Sequence, residues 1–274
     1  MIVETAPAKI NLALHVRARR PDGYHEIETL FAFLRDGDVV TIAPADADRF
    51  AITGPFAPAL AGEGGNLVLA ARDAFAAAFG PLPPLAVTLD KRLPVASGIG
   101  GGSADAAAML RALARLKAVD PARLPAIALD LGSDVPACLL GRAAFGGGRG
   151  EKLAPLDGLA DIPVLLVNPG VAVSTAKVFA GWDGVDRGAL AEGDPLVAAL
   201  AGRNDLQPPA LAIAPVIAEA VDLLSRQDGV TLARMSGSGA TCFALFRDMA
   251  AREAAARAVA AARPDWWQLQ STLT

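Results

Sequence analysis

The sequence predicts an α+β chain in two parts, residues 1–155 and 156–274. Three observations carry this. After a glycine-rich stretch at 146–159 that includes Pro155, the candidate elements run β-α-β-β-α-β, the split βαβ order of ferredoxin-like domains. Before it, short strand patterns alternate with two long helical ones. A glycine-rich loop, Ser97 to Ser103, leads from a strand into the second of those helices.

Taken in order, Asp38 to Ile42 reads as a short strand. Asn66 is placed to cap a helix from Leu67, with Ala71, Ala74, Phe75 and Ala78 on one face and Gly80-Pro81 as its stop. From Leu85 to Leu93 the chain alternates, with Val87 and Leu89 on one face and Thr88 and Asp90 on the other. The helix after the glycine loop carries Ala106, Leu110, Leu113 and Lys117 at helical spacing, with Arg111 and Arg115 on its polar side. In the second part, 162–168 is a buried-strand candidate and 208–226 is helical with a kink at Pro215. Strands at 230–234 and 241–246 flank a Ser-Gly-Ser-Gly-Ala loop. An alanine-rich helix at 248–263 and a strand at 267–273 complete the pattern. The long segment between Pro169 and Leu206 is too extended for a plain connection, so a role is expected for it.

Composition narrows the function classes. The chain has 274 residues, 53% of them hydrophobic, so it is long and apolar enough for full cores. With 25 basic and 29 acidic side chains the net charge is 25 − 29 = −4, and aromatics are 5%. Neither a broad basic surface nor a base-stacking surface for nucleic acid is expected. Two cysteines, Cys138 and Cys242, and two histidines, His15 and His25, do not make a disulfide framework or a multi-His metal centre. No apolar run is long enough for a membrane span and the N-terminus lacks signal-peptide character, so no membrane partner is expected and the cytoplasm is the expected compartment.

Five segments could carry chemistry. Pro94 to Ala108 places Gly98, Gly100, Gly101 and Gly102 ahead of Ser103 and a helix. Glycines let amides approach an anion closely, and a helix N-terminus adds partial positive charge. The segment is neither a Walker A loop nor a dinucleotide fingerprint. A plain turn with Ser103 as N-cap is the simpler reading, but so many glycines cost too much chain entropy for that alone. Met235 to Phe243 is a second glycine cluster, equally readable as a hairpin. Lys9 lies in an apolar strand-like run with Asn11 on the same face; it is either a snorkelling edge lysine or a functional one. Tyr24, the only tyrosine, and His25 leave a Pro-Asp-Gly turn, where an aromatic usually packs. Asp134, before Val135-Pro136, reads by itself as an N-cap.

Pro7 to Leu12, Pro94 to Ala108 and Met235 to Phe243 resemble, in sequence, order and spacing, the three signature motifs of the GHMP kinase superfamily. The Pro-Asp-Gly-Tyr-His turn and Gly132 to Leu139 look like the branch whose acceptor is a cytidine-diphosphate-linked methylerythritol in the non-mevalonate isoprenoid pathway. Ala96-Ser97, Ala104-Asp105, Ser236 and Ser238 vary from the common pattern without removing a needed group. The resemblance implies an N-terminal lobe like ribosomal protein S5, a ferredoxin-like C-terminal lobe, and ATP with Mg²⁺ as phosphoryl donor. It implies transfer of the γ-phosphoryl to the 2-hydroxyl of a small-molecule alcohol.

The same resemblance assigns residues. Asp134 is the implied general base and Lys9 the cation beside it. Pro94, Val95, Ala96, Ser97, Gly98, Ile99, Gly100, Gly101, Gly102 and Ser103 are implied to hold ATP, with Ser103 also a magnesium ligand. Asn66, Lys91 and Asp90 are implied near the adenine. Tyr24 and Phe179 are implied to stack on the cytosine, His25 to address its edge, and Asn11 to contact the methylerythritol, with Thr175 and Asn204 as further contacts. Two rivals remain at this stage. Another small-molecule kinase of the superfamily, of homoserine or mevalonate type, needs no Tyr24-His25 turn. A non-catalytic metabolite-binding protein on the same fold needs neither Lys9 nor Asp134.

Overall fold

The computed structural model describes residues 1–61 and 65–274. They form two compact units, one from Met1–Ala8, Asp36–Val95 and Gly100–Gly141, the other from Lys9–Arg35, Ala96–Ile99 and Arg142–Thr274. A single cut near residue 155 assigns everything before it to one lobe; the units are instead discontinuous in sequence. The cause is two long strands, β1 (Ile2–Arg19) and β2 (His25–Pro44), each of which contributes to both units.

In the first unit β3 (Arg49–Thr53) is followed by α1 (Leu67–Phe79), β4 (Leu85–Asp90) and α2 (Gly101–Lys117), then by α3 (Pro125–Leu131) and α4 (Val135–Leu140). The later half of β2 pairs antiparallel with β4, from Val39 opposite Asp90 to Pro44 opposite Leu85, and β3 pairs parallel with β4. The alternation in β4 is as the sequence predicts, with Leu85, Val87 and Leu89 buried. Asn66 caps α1, its side chain accepting from the Val68 amide at 2.8 Å. Helix α2 packs against α1 and α4. Its residues from Ala104 to Leu110 are all buried, which the run of alanines permits by allowing close approach. The helix begins at Gly101 rather than after Ser103, with Gly100 as N-cap at φ 67°.

In the second unit β5 (Ala144–Gly147) pairs antiparallel with β2 around Leu30, and β6 (Lys152–Pro155) pairs with β5. Then come β7 (Pro163–Asn168), α5 (Thr175–Ala180), α6 (Pro195–Ala201), α7 (Gln207–Ile213), α8 (Val216–Ser225), β8 (Val230–Met235), β9 (Cys242–Phe246), α9 (Met249–Ala262) and β10 (Trp267–Thr272). The antiparallel sheet order is β10-β7-β9-β8, which places the first strand of the motif beside its last, as a ferredoxin-like unit requires. Every residue of β7 and β9 is buried. Leu165, Val167, Ile217, Leu224, Phe246 and Val259 belong to the apolar core of this unit. The kink foreseen at Pro215 is a full break between α7 and α8, since proline supplies no amide to continue the helix. No helix among the described residues is long and apolar enough to cross a membrane.

Candidate active site

Each unit carries part of the predicted constellation. In the first, the N-terminus of α2 is made by Gly101, Gly102 and Ser103, and no side chain caps it. Its leading amides therefore keep the open end and partial positive charge that an anion seeks. Pro94 and Val95 precede the glycines in this unit.

Behind that end lies a cluster the sequence did not announce. Lys91, just after β4, is 2% exposed, and its ammonium donates to Asp38 at 2.5 Å and to Asp105 of α2 at 2.7 Å. Asp38 also accepts from the Arg92 and Leu93 amides, at 2.5 and 2.8 Å. Burial raises the Asp105 carboxyl to about 7 against the opposing pull of Lys91. Burial works to lower Lys91, but Asp105 and Asp38 together raise it on balance. A Cβ at Gly101 would come 3.0 Å from the Lys91 nitrogen, so the cluster directly underlies the first residue of α2. Lys91, expected near adenine, is thus engaged by two carboxylates. Asn66 is spent as the α1 cap, and Asp90 pairs with Arg92 at 2.7 Å.

Asp134 stands at the N-cap position of α4, yet its side chain makes no capping hydrogen bond. The simple capping role read from the sequence does not hold. Its backbone is in the right-handed helical region, whereas a capping residue takes extended geometry.

In the second unit Lys9 and Asn11 lie on one face of β1, both almost fully buried. The Lys9 ammonium donates to the Asn11 side-chain oxygen at 3.0 Å and lies 5.4 Å from the Phe31 ring centre. The Asn11 amide nitrogen donates to Thr29 Oγ1 at 2.7 Å, and that hydroxyl donates to the Ala13 carbonyl at 2.7 Å. This relay fixes the orientation of Asn11 and presents its oxygen to Lys9. Thr29 carries no motif signal, so sequence reading missed it.

The part of the glycine loop in this unit, Ala96, Ser97, Gly98 and Ile99, is joined to the second glycine cluster. Ser236 donates to the Gly98 carbonyl, the Thr241 amide to the Ser97 carbonyl at 3.1 Å, and the Lys9 amide to the Ile99 carbonyl at 2.9 Å. The 236–241 segment is a hairpin connection between β8 and β9, as its simpler reading held, and also a clamp. Asn204 braces it, donating to the carbonyls of Met235 and Gly237 at 2.9 and 2.8 Å. Thr175, at the start of α5, shares a 2.8 Å hydrogen bond with Ser238.

Tyr24 and His25 diverge as they leave their turn. Tyr24 is half exposed, with the Arg149 guanidinium 4.6 Å from its ring centre. His25 turns inward, its ring 5.0 Å from Phe179 of α5 and 5.7 Å from Trp182. Burial first, and then the charge of Arg19, hold His25 below the usual histidine range. Phe179, which the resemblance implies as a stacking residue, lies in the long 169–206 segment and packs against His25. Trp182 and Arg149 were not foreseen; an aromatic three residues beyond Phe179 was the available signal for Trp182.

Comparison with known proteins agrees with this geometry. Residues 66–142 match the family model "GHMP kinases N terminal domain", and residues 187–265 match "GHMP kinases C terminal". A relative from Rhizorhabdus wittichii, named 4-diphosphocytidyl-2-C-methyl-D-erythritol kinase, is 59% identical, covering 98% of this chain and 94% of its own. This chain belongs to the 4-diphosphocytidyl-2-C-methyl-D-erythritol kinase family of GHMP kinases. A member of that name from Sphingopyxis alaskensis is 52% identical over 98% of each chain. A crystal structure of 4-(cytidine 5'-diphospho)-2C-methyl-D-erythritol kinase superposes with a TM-score of 0.83 at 35% identity, covering 99% of both chains. A homoserine kinase from Cytophaga hutchinsonii reaches a TM-score of 0.75 at 16% identity, covering 99% of this chain and 94% of its own, which speaks for the shared fold alone. GHMP kinases use ATP as phosphoryl donor.

Proposed function

We infer that the chain transfers the γ-phosphoryl of ATP to the 2-hydroxyl of 4-diphosphocytidyl-2-C-methyl-D-erythritol, releasing ADP, in the non-mevalonate route to isoprenoid precursors. The observation that carries the substrate choice is the His25 ring set against Phe179, with Tyr24 half exposed beside it in the chain. A GHMP kinase acting on a small aliphatic alcohol has no base for such a group to read.

The acceptor is a tertiary alcohol and a poor nucleophile at neutral pH. Its oxygen attacks the γ-phosphorus in line, the bond to the β-bridging oxygen breaks, and the hydroxyl proton needs a destination. Asp134, at the start of α4, is assigned as that base. Lys9, oriented by Asn11, is assigned to stabilise the negative charge that develops in transfer. The phosphates are assigned to Gly100, Gly101, Gly102 and Ser103 at the open end of α2, with 94–99 completing the loop. Among the described residues no three His, Cys, Asp or Glu side chains gather as a metal site. A magnesium ion is assigned to triphosphate, water and the Ser103 hydroxyl. When bound, the ion would neutralise phosphate charge.

An ADP-release assay against a panel of alcohols tests the reading. Turnover is expected with the cytidine-diphosphate compound and not with homoserine or mevalonate. Tyr24→Ala and His25→Ala are expected to raise KM for that compound while an ATP analogue binds unchanged. Turnover of another alcohol in preference would overturn the assignment.

A further inference from the structure

Among the polar atoms shut away from water with no hydrogen-bond partner among the described residues, two belong to neighbouring rings: Nε2 of His25 and Nε1 of Trp182. Their rings meet nearly at right angles, centres 5.7 Å apart with planes at 83°. In that arrangement a ring N–H can be directed at the neighbouring π face, which tolerates a polar edge where a hydrocarbon does not. Trp182 is itself 4% exposed and tied down. Its amide donates to the Phe179 carbonyl at 3.2 Å, and its carbonyl accepts from Arg19 at 2.7 Å. The Arg19 guanidinium lies 6.0 Å from the indole centre, so one residue also places the charge that acts on His25.

We propose that Trp182 is a positioning residue for substrate recognition: it holds the His25 imidazole in one orientation, with Nε2 turned inward and Nδ1 left to meet the edge of the pyrimidine. The inference rests on the reading of His25 as a base-contacting residue. A neutral imidazole with Nε2 protonated has an acceptor at Nδ1, the partner an exocyclic amino group requires. Protonation of Nδ1 would remove that acceptor. The indole helps prevent this by excluding water. The other charged groups on the elements beside His25 are Arg20, Asp22 and Glu26 of its own turn, where Arg20 pairs with both carboxylates, Arg149 over Tyr24, and Lys177, which shares α5 with Phe179.

The test compares Trp182→Leu with Trp182→Phe. The chain has only two histidines, so an NMR titration of the imidazoles is assigned with one His15→Gln control. Trp182→Leu is expected to raise the His25 titration midpoint. It should increase KM for the cytidine-diphosphate substrate about fivefold, the scale of one lost orienting contact, with kcat essentially unchanged. The KM defect should be larger at about pH 6 than at about pH 8, because the cation lacks the acceptor. Trp182→Phe should restore both quantities. A folded Trp182→Leu protein with unchanged titration and KM overturns the proposal. Should that variant not fold, the wild type still decides: a His25 midpoint at or above about 6.5 overturns it. If His25→Ala leaves KM unchanged, the base-contact reading fails; if only Trp182→Leu does, this inference alone fails.

Discussion

The hydroxyl of Ser236 donates to the carbonyl of Gly98 at 3.0 Å, joining two glycine segments that lie 138 positions apart in the chain. The same hydroxyl accepts from the Asn11 amide at 3.2 Å, so the first and third signature segments are linked through it. One small side chain thereby sets the spacing of three separate stretches of sequence.

Gly98 is the least replaceable residue of this junction. Its φ is +77°, and a Cβ there would come 2.6 Å from the Ser236 carbonyl and 2.7 Å from that of Gly239. Gly98→Ala is expected to cost about 1–2 kcal/mol in backbone strain and about 1–3 kcal/mol in overlap. Urea unfolding measures the sum. A change below about 0.5 kcal/mol, the level of an ordinary surface substitution, would show that the loop can shift freely.

Asp134→Asn removes a base while keeping size and hydrogen-bonding capacity. Turnover should fall by about 10²–10⁴-fold, with ATP-analogue affinity retained in calorimetry. A variant that keeps kcat but melts early would instead make Asp134 a structural residue.

Lys91→Met strands two buried carboxylates. Breaking such a cluster by removing one partner costs about 3–5 kcal/mol. Without the ammonium the Asp105 carboxyl, already raised by burial, favours the protonated form still more, so the variant should lose further stability as pH rises through neutrality. Adding Asp105→Leu should recover part of the loss, since a smaller charge then remains to be buried. Denaturant titrations of the single and double variants distinguish this from a simple packing defect, which the second substitution would deepen.

His15 makes stability pH-dependent. Its Nε2 accepts from the Arg203 amide at 3.2 Å, so its proton sits on Nδ1, facing the Gly188 carbonyl at 3.1 Å. A second proton would oppose the Arg203 N–H. Burial foremost, then the Arg203 charge, lower the folded-state value. The unfolded chain therefore binds the proton more readily. This contribution is present above about pH 6.5 and is lost as pH falls toward the lowered folded value. Melting temperatures should drop below that pH in the wild type and less steeply in His15→Gln. Equal slopes would assign acid sensitivity elsewhere.

The ferredoxin-like unit could be read from local pattern because each of its strands is a short apolar run bounded by turns, as at Val230–Met235 and Cys242–Phe246. The N-terminal region was harder. In β2 only Asp38 to Ile42 showed a strand pattern, because the part from Leu30 to Leu34 is buried throughout and does not alternate. Motif residues were visible wherever glycine or a turn marked them. Thr29, Asp38, Asp105 and Trp182 were invisible as site residues, since their importance comes from partners distant in sequence. Asp105 even lies inside the glycine motif, where a carboxylate among alanines gives no hint that Lys91 awaits it.

The interleaving of the two units bears on how the chain is made. On the ribosome, Lys9–Arg35 emerges early, but most of the unit it belongs to is translated only after Gly141. Apolar β1 residues such as Ile10, Leu12 and Val16 must therefore be held without their final neighbours while the whole of Asp36–Gly141 is synthesised. Strand β10 completes the sheet edge beside β7 only once Trp267–Thr272 has been made. A stop codon shortly before Trp267 would leave β7 with an open edge.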